Sequence, residues 1–227
     1  MELSNFTYAS LILFTLSYPL FKSFEDKISY ASKWKYLFPG IISSAVFFIV
    51  WDILFTRMGV WEFNPDYILG LNFLHLPLEE WLFFIVVPFA CVFIYEVMNY
   101  FVKQDVLKNY TKSITLVLLV VLFTLAILNY QKLYTFYTFL FLASFLGIHL
   151  FILKSNYLGR FYIAWLVCII PFFIVNGILT AMPVVIYNDN HNLGIRLYTI
   201  PIEDTFYGML NILQVITIYE WLKKKNS

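Results

Sequence analysis

The sequence predicts an all-α integral membrane protein with seven transmembrane helices and a parallel internal repeat. Hydrophobic residues make up 61% of the chain and charged residues only 13%, whereas a soluble domain carries about 25% charged residues. Several apolar runs reach the ~20 residues that span a bilayer core. A membrane barrel would instead show short segments of alternating hydrophobicity.

The repeat is centred on two adjacent acidic residues that follow a proline. Pro77-Leu78-Glu79-Glu80 returns as Pro201-Ile202-Glu203-Asp204, a spacing of 124 residues, and the register holds without a gap from residue 56 to residue 96. Other matched pairs are Met58 with Met182, Asn64 with Asn188, Gly70 with Gly194 and Glu96 with Glu220. A repeat of this length indicates two copies of one structural unit.

Turn-forming and charged residues divide the chain into seven predicted spans. They cover about residues 6–21, 36–55, 77–101, 113–130, 133–153, 160–181 and 200–221. The first span is short. It lacks a basic start and a small-residue cleavage site, so we expect a retained span rather than a signal peptide.

The basic residues predict the orientation in the membrane. Twelve of them fall on one side of this topology: Lys22, Lys27, Lys33, Lys35, Lys103, Lys108, Lys112, Lys154, Arg160, Lys223, Lys224 and Lys225. The other side holds Arg57, Lys132 and Arg196. Because cytoplasmic loops carry the excess of lysine and arginine, we expect a protein of the cytoplasmic (inner) membrane with its N-terminus outside and its C-terminus in the cytoplasm.

Spans two and three match spans six and seven, and an even number of spans separates each equivalent pair. The two copies then share one orientation, related by a pseudo-two-fold axis along the membrane normal. We divide the single membrane domain into a first half, residues 1–110, and a second half, residues 111–227. Both acidic pairs then lie at the outer ends of their helices and can meet across the axis.

The segments 57–75 and 181–199 have equal length and are too apolar for free loops. We expect each to fold back over the helices as a cap. Asn64 and Asn188 lie at equivalent points of these caps, and a turn-like cluster follows each of them.

The acidic pairs are the leading candidates for chemistry. Pro77 and Pro201 suit the first helical position, so the acids would fall at the third and fourth positions and could simply complement the helix N-terminus. That interpretation is weakened because the pairs recur beside aromatic caps, and ionisable groups at membrane depth are usually functional. Successive helix residues point about 100° apart, so we expect the two acids of a pair to play different roles.

Two further polar residues lie inside spans near the acidic pairs. Asp52 ends the second span, where it is either a site residue or a helix-packing partner, and Asn176 occupies about the same place in the sixth span. Glu96 and Glu220 lie roughly 28 Å along their helices from the motif prolines, which predicts an orienting role at the inner interface.

Several function classes are excluded by missing motifs. The chain has no glycine-rich dinucleotide fingerprint, no phosphate loop, no spaced cysteine and histidine metal set and no aspartate-rich motif for a prenyl diphosphate. The last span carries no lysine for a retinal Schiff base. We therefore expect no metal site and no nucleic-acid partner.

The motifs resemble those of the membrane lycopene cyclase family, which includes paired-subunit cyclases of bacteria and the cyclase domain of a fungal fused cyclase and phytoene synthase. The resemblance covers about residues 36–221, as if two subunits were fused with a spare span between them. In the first half it is carried by Phe55-Thr56, Gly59-Val60-Trp61, Phe63-Asn64-Pro65 and Pro77-Leu78-Glu79-Glu80. In the second half it is carried by Val175-Asn176-Gly177, Pro183-Val184-Val185, Tyr187-Asn188, Gly194-Ile195-Arg196, Pro201-Ile202-Glu203-Asp204 and Phe206-Tyr207.

The resemblance implies cofactor-free cyclisation of lycopene to γ-carotene and then β-carotene, by proton addition and removal. Its partners would be the carotenoid substrate, membrane lipid and other enzymes of the carotenoid pathway. The implied catalytic residues are Glu79, Glu80, Glu203 and Asp204. The implied supporting residues are Asp52, Trp61, Asn64, Pro77, Trp81, Asn176, Asn188, Pro201 and Tyr207.

The two acidic pairs differ in ways that predict an acid and a base. Asp204 is shorter than Glu80, and Thr205 replaces Trp81, so we expect a more hydrogen-bonding environment around the second pair that favours the ionised form. Glu80, with or without Glu79, would supply the proton, and Glu203 or Asp204 would accept one.

Two alternatives stay open. A carotenoid 1,2-hydratase of related membrane fold would let water capture the same cation, and its product would contain an added oxygen. A non-catalytic carotenoid-binding or transport protein would favour broken helices at the membrane midplane. The acidic pairs at helix ends argue against transport.

Overall fold

The computed structural model describes residues 2–226, and this part of the chain contains seven α-helices, in agreement with the predicted all-α class. Their bounds follow the predicted spans to within a few residues, because long apolar runs and the intervening polar clusters define them. The helices are α1 (Thr7–Lys22), α2 (Trp34–Arg57), α3 (Leu78–Phe101), α4 (Thr111–Leu128), α5 (Leu133–Gly147, continued as a π-helix over Ile148–Leu153), α6 (Leu158–Ala181) and α7 (Ile202–Lys225).

Five of these helices, α2 to α6, are long and apolar enough to cross a membrane. Helix α1 has only 16 residues. Helix α7 has 24 residues but carries acidic residues in its first turn and three lysines in its last. The five apolar helices point to a membrane protein.

The two segments predicted as caps pair with each other through short strands. Strand β1 (Trp61–Phe63) runs antiparallel to β4 (Val185–Tyr187), with Trp61 opposite Tyr187 and Phe63 opposite Val185. The hydrogen bonds on either side are reciprocal: the Asn64 N–H donates to the Val184 carbonyl and the Asn188 N–H to the Val60 carbonyl, each at 2.9 Å. The two bonds are equivalent under the repeat, because Asn64 corresponds to Asn188 and Val60 to Val184 at the 124-residue spacing.

A small hairpin leads from each cap into the next helix. Strand β2 (Asn72–Phe73) pairs with β3 (Leu76–Pro77), and β5 (Arg196–Leu197) pairs with β6 (Ile200–Pro201). Gly70 and Gly194, at equivalent points before these hairpins, have φ of +79° and +73°, a conformation that glycine adopts without steric cost.

The prediction for the motif prolines was wrong by one residue. Pro77 and Pro201 lie just before the first helical residue of α3 and α7, because their strand pairing keeps them extended, with ψ of 151° and 139°. The acids therefore occupy the second and third helical positions. They still lie in the first turn, where the helix N-terminus favours negative charge.

The opposite ends of α3 and α7 are joined by a second reciprocal pair of hydrogen bonds. The Tyr95 hydroxyl donates to Glu220 at 3.0 Å and the Tyr219 hydroxyl donates to Glu96 at 2.8 Å. Lys33 and Lys223 also form ion pairs with Glu96. The two glutamates are thus far from the caps and hold helix ends together, as predicted from their position.

The helix packing extends the correspondence beyond the spans that the sequence matched. Helix α1 packs against α3 as α5 packs against α7, while α2 and α6 each contact both α3 and α7. Helix α4 packs mainly on α5. The unit α1–α2–α3 therefore has the same neighbour relations as α5–α6–α7, and α4 connects the two.

Candidate functional site

A cavity of about 370 Å³ lies beneath the cap strands, enclosed by α1, α3, α6 and α7. Most of its lining side chains are apolar or aromatic, and no lysine or arginine of the described residues lines it. Three carboxyl groups do line it, those of Asp52, Glu80 and Asp204. Acidic groups that are buried without a basic partner are costly and mark functional sites.

Glu80 and Asp52 form one half of this acidic set. The Tyr8 hydroxyl of α1 donates to Glu80 Oε2 at 2.5 Å, and the indole N–H of Trp61 in β1 donates to Asp52 Oδ1 at 2.5 Å. The carboxyl groups of Asp52 and Glu80 line the cavity together, and Asp52 Oδ2 has no hydrogen-bond partner among the described residues. The structure therefore places Asp52, which the sequence left open between a site residue and a packing residue, at the cavity.

Asp204 forms the other half and has different partners. The Tyr134 hydroxyl of α5 donates to Oδ1 at 2.6 Å, and the Tyr187 hydroxyl of β4 donates to Oδ2 at 2.8 Å. Burial, and then the charge of Asp204, hold the pKa of Tyr187 well above its usual range. The phenol therefore remains a donor. Both oxygens of Asp204 accept hydrogen bonds, which favour the ionised carboxylate, whereas burial favours the neutral acid.

Glu80 and Asp204 have different hydrogen-bond partners, but the predicted cause of a difference, the replacement of Trp81 by Thr205, does not act at the cavity. The Trp81 indole donates to the Phe73 carbonyl at 3.3 Å, and Trp81 does not line the cavity. The replacement of Trp81 by Thr205 therefore does not set the environment of Asp204. Tyr134 and Tyr187 do.

Glu79 and Glu203 do not line the cavity. Glu79 Oε1 accepts the Leu69 N–H at 2.7 Å, and Glu203 Oε1 accepts the equivalent Leu193 N–H at the same distance. Thr135 also donates to Glu203. Each glutamate thus fastens the cap ahead of its own helix. The two acids of each pair point in different directions, as the helix geometry requires.

The remaining predicted residues fall into two groups. Trp61, Asn176 and Tyr207 line the cavity with the three acids. Asn64 and Asn188 instead shape the caps, where their side chains accept the backbone N–H groups of Asp66 and Asn190. Pro77 and Pro201 are buried at the helix starts and do not line the cavity.

Three tyrosines that hold the acids were missed by the sequence analysis: Tyr8, Tyr134 and Tyr187. Tyr8 and Tyr134 make the same contact in the two halves, but they are 126 residues apart rather than 124. Tyr8 and Tyr134 become equivalent if the repeat is allowed a two-residue change of spacing before the second span. Among residues 2–226, no group of three acidic, histidine or cysteine side chains is placed to hold a metal ion.

Comparison with known proteins identifies one family. The family model described as lycopene cyclase matches residues 5–98 and 131–222. These two segments omit α4 and begin 126 residues apart, the spacing of Tyr8 and Tyr134. Neither the curated proteins nor the solved structures include a significant match. The family is one of enzymes that catalyse a cyclisation. Since the match covers most of its length, this chain belongs to the lycopene cyclase family.

Proposed function

We propose that the protein is a lycopene β-cyclase, an isomerase of the intramolecular lyase type that converts the linear ends of lycopene into β-ionone rings without a cofactor. The observation that carries the proposal is a set of three carboxyl groups in one apolar cavity that have different partners: Glu80 accepts from Tyr8, Asp52 from Trp61, and Asp204 from two tyrosines.

The reaction needs one proton donor and one proton acceptor. Glu80 protonates C2 of the terminal double bond and leaves a tertiary cation at C1. The C5–C6 double bond attacks C1, which forms the ring bond to C6 and moves the positive charge to C5. Asp204 then removes the C6 proton and restores the C5–C6 double bond. One proton is added and one is removed, so the product is an isomer.

The cavity walls suit a carbocation. Trp61, Phe83 and Tyr207 line the space between the acids, and aromatic faces attract positive charge by about 0.5–2 kcal/mol each. The apolar lining keeps water away from the cation, which would otherwise be captured as an alcohol. In this proposal Glu79 and Glu203 position the caps and do not touch the substrate.

A membrane location follows from the five apolar helices and from the substrate, which dissolves in lipid. The basic residues support the predicted orientation: Lys33, Arg160 and Lys223 all contact groups at the end opposite the caps. We infer that the caps face the outside and that the C-terminus faces the cytoplasm.

This orientation can be tested with cysteines placed at equivalent exposed cap positions. We expect Asp66→Cys and Asn190→Cys both to react with a membrane-impermeant thiol reagent added outside intact cells. Lys112→Cys should react only after the cells are opened. Labelling of the two cap cysteines from opposite sides would exclude a parallel arrangement of the two halves.

The decisive experiment for the function is expression of the chain alone in a host that accumulates lycopene. We expect γ-carotene and β-carotene, identified by chromatography and absorption spectra. An oxygen-containing product would assign the hydratase reaction instead. Unchanged lycopene that copurifies with the protein would indicate a carotenoid-binding protein without this activity.

A further inference from the structure

The cavity reaches the lipid-facing surface of the bundle between α1 and α6. Phe14, Ser17 and Tyr18 of α1 and Pro171 and Ile174 of α6 line it and are also exposed. Phe14 and Tyr18 are 66% and 64% exposed, so the opening, here called the portal, lies on the side of the bundle and not under the caps.

From the acids the cavity continues as a narrow slot along α3. Its lining runs from Glu80 to Ile94, a distance of about 21 Å at 1.5 Å per residue. Val87, Ala90 and Cys91 lie between these ends. Beyond the carboxyl groups at its capped end, the slot is lined by no other charged side chain of residues 2–226. Its length and apolar lining fit a long hydrocarbon chain.

A second cleft lies where the repeat places the counterpart of the portal, between α2 and α5. It has a volume of about 610 Å³, and Val46, Val50 and Leu54 of α2 line its exposed side. None of the three acids of the cavity lines it. The second cleft thus faces lipid like the portal but does not reach the acids.

Aromatic side chains separate the second cleft from the acids. We call Phe47, Trp51, Phe55, Tyr137 and Phe141 the aromatic plug; all five line the cleft. The Trp51 ring lies 5.1 Å from Phe141 on the cleft side and 5.2 Å from Tyr207 on the cavity side. The Phe55 ring lies 5.2 Å from Trp61. These ring contacts at 5.1–5.2 Å place aromatic side chains across the route between the second cleft and the acids.

The portal carries smaller residues at the matching positions. Under the 124-residue spacing Trp51, Phe55 and Phe47 correspond to Val175, Leu179 and Pro171, and under the 126-residue spacing Phe141 corresponds to Thr15. These four smaller residues all line the cavity. The difference between the open and closed routes is therefore a difference in side-chain size at equivalent places.

We propose that the linear polyene substrate enters the cavity end first from the lipid, through the portal between α1 and α6, while the aromatic plug closes the equivalent route between α2 and α5. This inference rests on the proposed function. A single route of this kind makes the enzyme process one end at a time: the monocyclic product must leave and return with its other end.

The test places a tryptophan, the residue found at position 51 of the aromatic plug, at the equivalent position 175 of the portal. We expect Val175→Trp to weaken lycopene binding and to slow its cyclisation by roughly 10-fold or more, because the larger ring would occupy the space through which the substrate passes. Ile174→Trp, at the exposed rim, should have a smaller effect of the same sign. Ile170→Trp is the matched control, because it lies on the same helix, is 65% exposed and does not line the cavity.

Binding and turnover are measured separately on purified, detergent-solubilised full-length chain: binding by the induced circular dichroism of lycopene, turnover by chromatography. Far-ultraviolet circular dichroism checks that each variant is folded. If Ile174→Trp and Val175→Trp bind lycopene as the unmodified chain does, the portal is wrong, whatever the reaction is. If the portal variants lose lycopene binding but the unmodified chain forms no ring from lycopene, the portal is supported and the cyclase assignment is wrong.

Discussion

Replacement of Glu80 by glutamine should lower the rate of ring formation by at least about 100-fold, the usual contribution of a general acid. The amide keeps the size and polarity of the side chain and can still accept the Tyr8 hydroxyl hydrogen bond. It cannot deliver a proton to the substrate. Lycopene should therefore remain unconverted in membranes containing normal amounts of the variant, measured by chromatography against immunoblotted protein.

Glu62→Gln is the control for this variant. It makes the same chemical change, but at an exposed position of β1 in the cap. Asp52→Asn should give a smaller loss than Glu80→Gln, since the amide oxygen can still accept the Trp61 indole hydrogen bond and the Glu80 carboxyl group stays in place. A folded Glu80→Gln protein with near-native turnover would show that Glu80 is structural.

Replacement of Asp204 by asparagine should lower the rate of ring formation by a similar factor, about 100-fold or more. The reason is different, because Asp204 is the proposed proton acceptor. The amide has one acceptor oxygen for the two tyrosine hydroxyls and cannot take the C6 proton. Lycopene should still bind, because Asp204 is not needed to fill the apolar slot. The measurement is turnover together with binding monitored by induced circular dichroism.

Asp66→Asn provides the matched control, since Asp66 is an exposed cap residue that does not line the cavity. Loss of turnover with retained binding is the expected pattern for Asp204→Asn. Near-native β-carotene formation by that variant would remove Asp204 from the mechanism and leave the C6 proton without its proposed acceptor.

Much of the fold could be predicted because its signals are local. Apolar runs, proline positions and lysine clusters fix the helix bounds within a few residues, and the 124-residue register is visible in the sequence itself. The 100° step of a helix was enough to predict that Glu79 and Glu80 have different partners. Which of them faces the cavity depends on the neighbouring helices, and no local pattern encodes that.

The tyrosines that hydrogen-bond to the acids could not be predicted from local sequence patterns. Tyr8 and Glu80 are 72 residues apart, and Tyr134 and Asp204 are 70 apart. Tyrosines are common in this chain, with 17 in total, so none stands out by type. Asp52 was ambiguous because its role depends on the approach of Trp61 from a cap whose path the sequence does not specify.

The reciprocal pairing of β1 and β4 is what two identical subunits would form around a two-fold axis, where each residue meets its partner's equivalent. In such a homodimer every substitution would be present in both subunits, so equivalent acidic residues in the two subunits would always be identical. Covalent joining through α4 removes that restriction. A single gene can then keep glutamate on one side and aspartate on the other, and tryptophan in one cleft against valine in the other. Joining the two halves in one chain through α4, like pairing two different subunits, therefore allows equivalent positions on the two sides to carry different residues.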